Sequence, residues 1–201
     1  AVPLVNIFLG EVIFGGVGSG LYGMLLYVLL AVFIAGLMVG RTPEYLGKKI
    51  ESREVKLAVA GTLFVPIVVL VLTAASVTTN AGLASIFNPG AHGFTEALYA
   101  YSSQTNNNGS AFAGYTGTTF ASLLGAVAMY LGRLVPLIAA VAVAGSLARK
   151  QASPPSGGTF RTDGPTFSVL LVGVVVIVAG LTIFPALALG PLVEALSGGP
   201  S

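Results

Sequence analysis

Four apolar stretches dominate the sequence, and each is close to the length that crosses a lipid bilayer. They cover residues 21–39, 57–79, 120–147 and 167–189, and a helix needs about 20 apolar residues to span roughly 30 Å of hydrocarbon. Charged residues make up only 8% of the chain, whereas a soluble domain carries about 25%. The sequence therefore predicts an all-α membrane protein with about four transmembrane spans.

The basic residues between the spans indicate how the chain is oriented. Residues 41–56 hold five Lys or Arg residues, residues 149–165 hold three, and residues 80–119 hold none. Because cytoplasmic loops carry the excess of positive charge, loops 41–56 and 149–165 are predicted to be cytoplasmic and segment 80–119 external. The four spans then alternate in direction without conflict.

The external segment contains a candidate pore loop. Residues 94–101 predict a short helix, and a stretch rich in Ser, Asn and Gly follows at 102–112. A short helix and an irregular strand between two spans have the layout of a re-entrant loop, which survives at membrane depth when buried in protein or lining a wet cavity. An ordinary polar turn outside the membrane is the alternative, since Asn-Gly is a common turn dipeptide.

Potassium coordination is the chemistry that such a loop would support. Backbone carbonyls can replace the hydration shell of a potassium ion without adding net charge. Gly109 permits a positive φ, which can turn successive carbonyls toward one axis.

Charged residues associated with the spans form a second set of candidates. Arg133 lies within the third span, where an arginine costs at least about 2.5–3.5 kcal/mol and usually faces a wet cavity or a counter-charge. Glu11 is the candidate partner, and we predict that the two side chains approach each other near the ion path. The alternative is that Arg133 snorkels or forms a structural ion pair. Arg41 ends the first span, either as a simple interfacial anchor or as a contact for a partner protein.

Other functional classes are disfavoured. The basic residues form no patch suited to nucleic acid. Residues 18–23 match a dinucleotide-binding fingerprint, but that motif requires a preceding strand, whereas here it opens a span. The single histidine, His92, has no cysteine or second histidine nearby to share a metal. The chain shows no catalytic centre and is predicted to bind no nucleotide.

Several long runs of residues closely resemble one transporter family, the KdpA potassium-translocating subunits. They are EVIFGGVGSGLYGM at 11–24, GRTPEYLGKK at 40–49, NPG at 88–90, HGF at 92–94, NNNGSAFAG at 106–114 and FPALALGP at 184–191. The resemblance extends over the whole chain. It implies potassium entry through the channel-like subunit of a P-type ATPase complex in the inner cell membrane.

The resemblance also implies a fold and a set of sites. The family has four helix–pore loop–helix units around a pseudo-fourfold axis. The chain would then be its C-terminal portion: the end of the third unit at 1–56, the fourth unit at 57–148, and a linker with the final helix at 149–201.

The family's fourth filter strand would fall on Asn107, Asn108, Gly109 and Ser110, with potassium as the only metal. Glu11, Arg41 and Arg133 would take gating or coupling roles. We expect the polypeptide to continue upstream, and one filter strand alone should not conduct.

Partner chains follow from the same resemblance. ATP hydrolysis would lie in a KdpB-like subunit, accompanied by KdpC-like and KdpF-like subunits. Two alternatives remain at this point: a subunit of a Trk- or Ktr-like potassium symporter, which shares the fold, and a membrane scaffold that transports nothing.

Overall fold

The computed structural model describes residues 2–10, 19–88, 90–110, 113–152, 154 and 157–196. These residues form helices and one two-stranded antiparallel hairpin. The elements are α1 (Val2–Gly10), α2 (Ser19–Met38), β1 (Glu44–Tyr45), β2 (Lys48–Lys49), α3 (Ser52–Thr78), α4 (Asn80–Leu83), α5 (Gly90–Thr105), α6 (Thr119–Ala148) and α7 (Pro165–Leu196).

The membrane class predicted from the sequence is confirmed. Among the described residues, three helices are long and apolar enough to cross a membrane: α2 from Gly20, α3 and α6. The fourth predicted span lies in α7, which contains two shorter apolar stretches at Pro165–Val178 and Phe184–Leu196. Pro66 and Pro136 lie inside α3 and α6 without ending either helix, as neighbouring helices and local adjustment permit in a membrane.

The short helix predicted over 94–101 is longer in the structure, where α5 covers Gly90–Thr105. Ser102 and Ser103, which follow the predicted helix in the sequence, are buried within α5. The Ser102 hydroxyl donates to the Leu98 carbonyl at 2.6 Å, one turn earlier. Because that bond satisfies the hydroxyl inside the helix, a residue type that usually favours turns continues the helix here.

Helix α5 packs between α3 and α6. Tyr101 of α5 is fully buried and lies in one cluster with Val68 of α3 and Ala128 of α6. A second, larger core joins α2, α3, α6 and the start of α7 through Leu26, Ala58, Val143 and Phe167. The pair α3 and α6 is therefore the frame on which α5 is mounted.

The connections gather at two ends of the helix bundle. At the first, which we call the basic end, residues 41–50 meet residues 157–164, and the Thr42 amide donates to the Gly158 carbonyl at 2.9 Å. At the second, the loop end, residues 79–88 meet residues 113–118, and the hydroxyls of Ser85 and Thr118 are 2.7 Å apart. The helices therefore run alternately between the two ends, as the sequence predicted for the spans.

A buried ion pair at the basic end joins α3 to the end of α6. Glu54 is only 1% exposed, and its carboxylate accepts from Lys150 Nζ at 2.8 Å and from the Ser146 hydroxyl at 2.5 Å. It also accepts from the Glu51 amide at 2.8 Å, which caps the start of α3. In the sequence, Lys150 indicates only the orientation of its loop, and its pairing with Glu54 appears only in the folded chain.

Candidate functional site

Helix α5 starts at the loop end and stops about halfway along α6. A Cβ atom on Gly132 of α6 would lie 1.9 Å from the Thr105 carbonyl oxygen, so the end of α5 touches the α6 backbone at that point. Gly132 is about 20 Å from the start of α6 at the helical rise of 1.5 Å per residue. The chain then returns to the loop end before α6 begins. This is the geometry of a re-entrant segment.

The start of α5 is fixed by a carboxylate that sequence analysis missed. Glu96 is 8% exposed and accepts hydrogen bonds from the backbone amides of Phe87 and Asn88 at 3.2 and 3.3 Å. The side-chain amide of Asn88 donates to the same carboxylate. The Phe87 amide and the Gly114 carbonyl pair at 3.2 Å, so the segments entering and leaving the loop are held side by side.

The end of α5 is closed by an asparagine in the left-handed conformation. Asn107 has a φ of 52°, its amide donates to the Gln104 carbonyl at 3.0 Å, and the Asn108 amide donates to the Ser103 carbonyl at 2.9 Å. These two bonds form a Schellman cap. The Asn107 side-chain amide also donates to the carbonyls of Thr105 and Met129, each at 3.1 Å, which ties the turn to α6.

The candidate filter segment, residues 107–110, presents three carbonyl oxygens that accept no hydrogen bond from the described residues. Gly109 has a φ of 77°, in agreement with the positive φ that the sequence led us to expect. The carbonyls of Asn107, Asn108 and Gly109 accept no hydrogen bond from any residue that the structure describes. Asn108 and Gly109 are exposed and Asn107 is partly buried, so within the described part of the chain these three oxygens are left to water or to an ion.

Ser110 is bound on several sides. Its carbonyl accepts from the Ser103 hydroxyl at 3.0 Å, its amide donates to Asn108 Oδ1 at 3.0 Å, and its hydroxyl pairs with the hydroxyl of Tyr99. The strand is therefore anchored to α5 just beyond Gly109. One lone pair of the Ser110 carbonyl is already used, which distinguishes it from the other three predicted ligands.

The predicted charged residues lie in different places. Arg133 follows Gly132 and is partly buried, so it lies on α6 near the level where α5 ends. Arg41 is exposed at the basic end, after α2. Glu11 lies outside the described residues, and its approach to Arg133 remains a prediction.

The donors gathered here are neutral oxygens. No group of three or more His, Cys, Asp or Glu residues suited to a metal occurs in the part of the chain that the structure describes. Neutral carbonyls favour a weakly hydrated monovalent cation over a divalent metal that needs charged ligands.

Comparison with known proteins gives one family. Residues 1–196 match the family described as KdpA: Potassium-transporting ATPase A subunit. The protein named potassium-transporting ATPase potassium-binding subunit from Bradyrhizobium diazoefficiens is 60% identical over 197 residues, covering 98% of this chain and 35% of the relative. Proteins with the same name from Rhizobium rhizogenes and Methylobacterium nodulans are 58% and 59% identical with the same coverage. The chain thus spans about a third of the length of these relatives, and it belongs to the KdpA family.

Proposed function

We propose that this chain supplies one filter strand of a potassium-selective pathway, as part of the potassium-binding subunit of an ATP-driven potassium transporter. The observation that carries the proposal is the set of carbonyls at 107–109 that accept no hydrogen bond from the described residues and follow a helix that stops halfway along α6. The relatives, named as potassium-binding subunits, support the choice of ion.

The mechanism follows from the position of these oxygens. A potassium ion entering the site exchanges water for carbonyl oxygens, and the α5 carboxyl end points its partial negative charge at the same region. One strand provides only part of a coordination shell. The remaining oxygens come, in this proposal, from the rest of a longer protein whose C-terminal portion is represented here. Its fourth pore unit is 57–148, with 1–56 and 149–201 on either side.

The same proposal assigns sides and partners. Loops 41–56 and 149–165 face the cytoplasm, and 80–119 faces the outside of the inner membrane. ATP is hydrolysed in a KdpB-like partner, with KdpC-like and KdpF-like subunits in the complex, and this chain binds potassium but no nucleotide. Arg133 lies on the route of the ion beyond the filter, where Glu11 would balance its charge.

The test compares two glycines with the same backbone conformation. Gly109 and Gly40 have φ values of 77° and 65°, and a Cβ on either meets no atom within 4 Å. Alanine at each position therefore carries a similar left-handed cost of about 1–2 kcal/mol. We expect Gly109→Ala to weaken potassium affinity about tenfold, a loss of roughly 1.4 kcal/mol, in potassium-stimulated ATP hydrolysis by the purified complex. Gly40→Ala should leave that affinity unchanged.

Equal potassium affinity in the two variants would remove residues 107–110 from the pathway. Potassium uptake that proceeds without any copurifying ATPase activity would instead favour the symporter alternative. Uptake by a complex that lacks this subunit would make the chain a scaffold.

A further inference from the structure

Three cavities adjoin at the basic end, where α7 begins. The first, of about 590 Å³, and the second, of about 310 Å³, share Arg41, Phe160, Arg161 and Asp163 in their walls. The second shares Thr166 with a third cavity of about 690 Å³ that runs along α7. A polar pocket therefore leads into a groove on the surface of a helix.

Four charged residues line the polar pocket, namely Arg41, Glu44, Arg161 and Asp163, and Arg41 is the cation among them that no described residue neutralises. Arg161 is paired with Asp163 through two bonds of 2.9 and 3.2 Å, and its guanidinium lowers the pKa of the Asp163 carboxyl. Arg41 makes no side-chain hydrogen bond or ion pair with any described residue. Loops 41–56 and 149–165 together hold eight basic and four acidic residues, so the surrounding field also attracts an anion.

The groove is apolar and open. Val169, Gly173 and Ile177 are four residues apart and lie on one stripe of α7, and Val169 and Ile177 are 73% and 59% exposed. The missing side chain of Gly173 forms the notch between them, since a Cβ there would meet no atom within 4 Å. From Pro165 to Ile177 the groove extends about 18 Å along the helix, away from the basic end.

We propose that this composite cavity binds an anionic phospholipid, with the phosphate against Arg41 and one acyl chain along the α7 groove. Arg41 lies beyond the end of α2 and beside the start of α7, where the proposed topology puts the lipid headgroups, and the apolar groove continues from it toward the proposed hydrocarbon region. Along the cavity a positive charge is followed by apolar surface, and a phospholipid has its phosphate and its acyl chain in the same order. A peptide segment of a partner protein has no reason to match that order.

The test measures lipid binding to the purified transporter by native mass spectrometry, with phosphatidylglycerol and phosphatidylcholine as probes. We expect Arg41→Gln to weaken phosphatidylglycerol binding about tenfold, as for the loss of one charge-assisted hydrogen bond. Arg53→Gln is the matched control, because Arg53 is an exposed arginine of the same loop outside the pocket. The affinity of this variant for phosphatidylglycerol should not change. Asp163→Asn, which releases Arg161, should strengthen binding.

A second pair of variants tests the groove. Gly173→Leu adds a side chain in the notch, at a position where a Cβ meets no atom within 4 Å, and should weaken the binding of long-chain phosphatidylglycerol. Gly180→Leu, on the same helix with equally open space around its Cβ, should not weaken that binding. Equal binding of phosphatidylglycerol and phosphatidylcholine, or displacement of the lipid by inorganic phosphate alone, would overturn the proposal. So would an Arg41→Gln variant that retains its lipid but loses a partner subunit.

Discussion

The carboxylate of Glu96 holds the entrance of α5 by accepting the backbone amides of Phe87 and Asn88. Glu96→Ala would remove the acceptor of the Asn88 amide and side chain, whereas the Phe87 amide would keep the Gly114 carbonyl. The loss of hydrogen bonds to this charged group costs about 1.5–3 kcal/mol. We expect a clear fall in the melting temperature of the detergent-purified protein. Glu96→Gln keeps one acceptor oxygen and should lower the melting temperature less.

Glu44→Ala is the control for that experiment. Glu44 is partly exposed and accepts only from the Thr159 hydroxyl among the described residues, so its removal should hardly change the melting temperature. If the Glu96→Ala protein has the melting temperature of the wild type, the segment that enters α5 is held by other contacts.

Single residues differ in how far their roles can be predicted from sequence. The positive φ of Gly109 was predictable because glycine has no Cβ to oppose it. The capping role of Asn107 was not, because Asn106, Asn107 and Asn108 are chemically identical and only the exact end of α5 selects one of them. The pair Glu54 and Lys150 is separated by 96 residues, so only the packing of α3 against α6 brings it together.

The contact between α5 and α6 sets how far along α6 the candidate filter segment lies. Alanine at Gly132 would place its Cβ 1.9 Å from the Thr105 carbonyl, a backbone atom, whereas alanine at Gly145 of the same helix meets nothing within 4 Å. We expect Gly132→Ala to destabilise the protein by about 1–3 kcal/mol through overpacking and to weaken potassium binding. Both effects are measured by thermal unfolding with and without potassium, with Gly145→Ala as the control.

A Gly132→Ala protein with the stability and potassium response of Gly145→Ala would contradict the tight contact.

Among whole elements, the long spans were the most predictable, because their length and apolarity are direct properties of the sequence. The limits of α5 were not, since Ser102, Ser103 and Thr105 look like turn residues until the neighbouring helices bury them. The hairpin β1–β2 and helix α1 were not predicted at all.

The orientation of the whole bundle can be tested with single cysteines, because the chain contains none. Gln151 and Thr116 are exposed at the basic end and the loop end respectively. A membrane-impermeant maleimide added to intact cells should label Thr116→Cys, and Gln151→Cys should react only after the membrane is opened. The reverse pattern would invert the topology proposed from the basic loops.

The halting of α5 midway along α6 has an electrical consequence. An ion held beside Gly132 has similar thicknesses of protein and lipid on either side, so about half of the membrane potential acts between the outer solution and that ion. Moving one elementary charge across the whole membrane changes its free energy by about 2.3 kcal/mol per 100 mV. Moving it only to the midpoint therefore changes the free energy by roughly 1 kcal/mol per 100 mV. In the orientation and function proposed above, potassium occupancy would rise with an inside-negative voltage, and the energised cell would itself help to load the site.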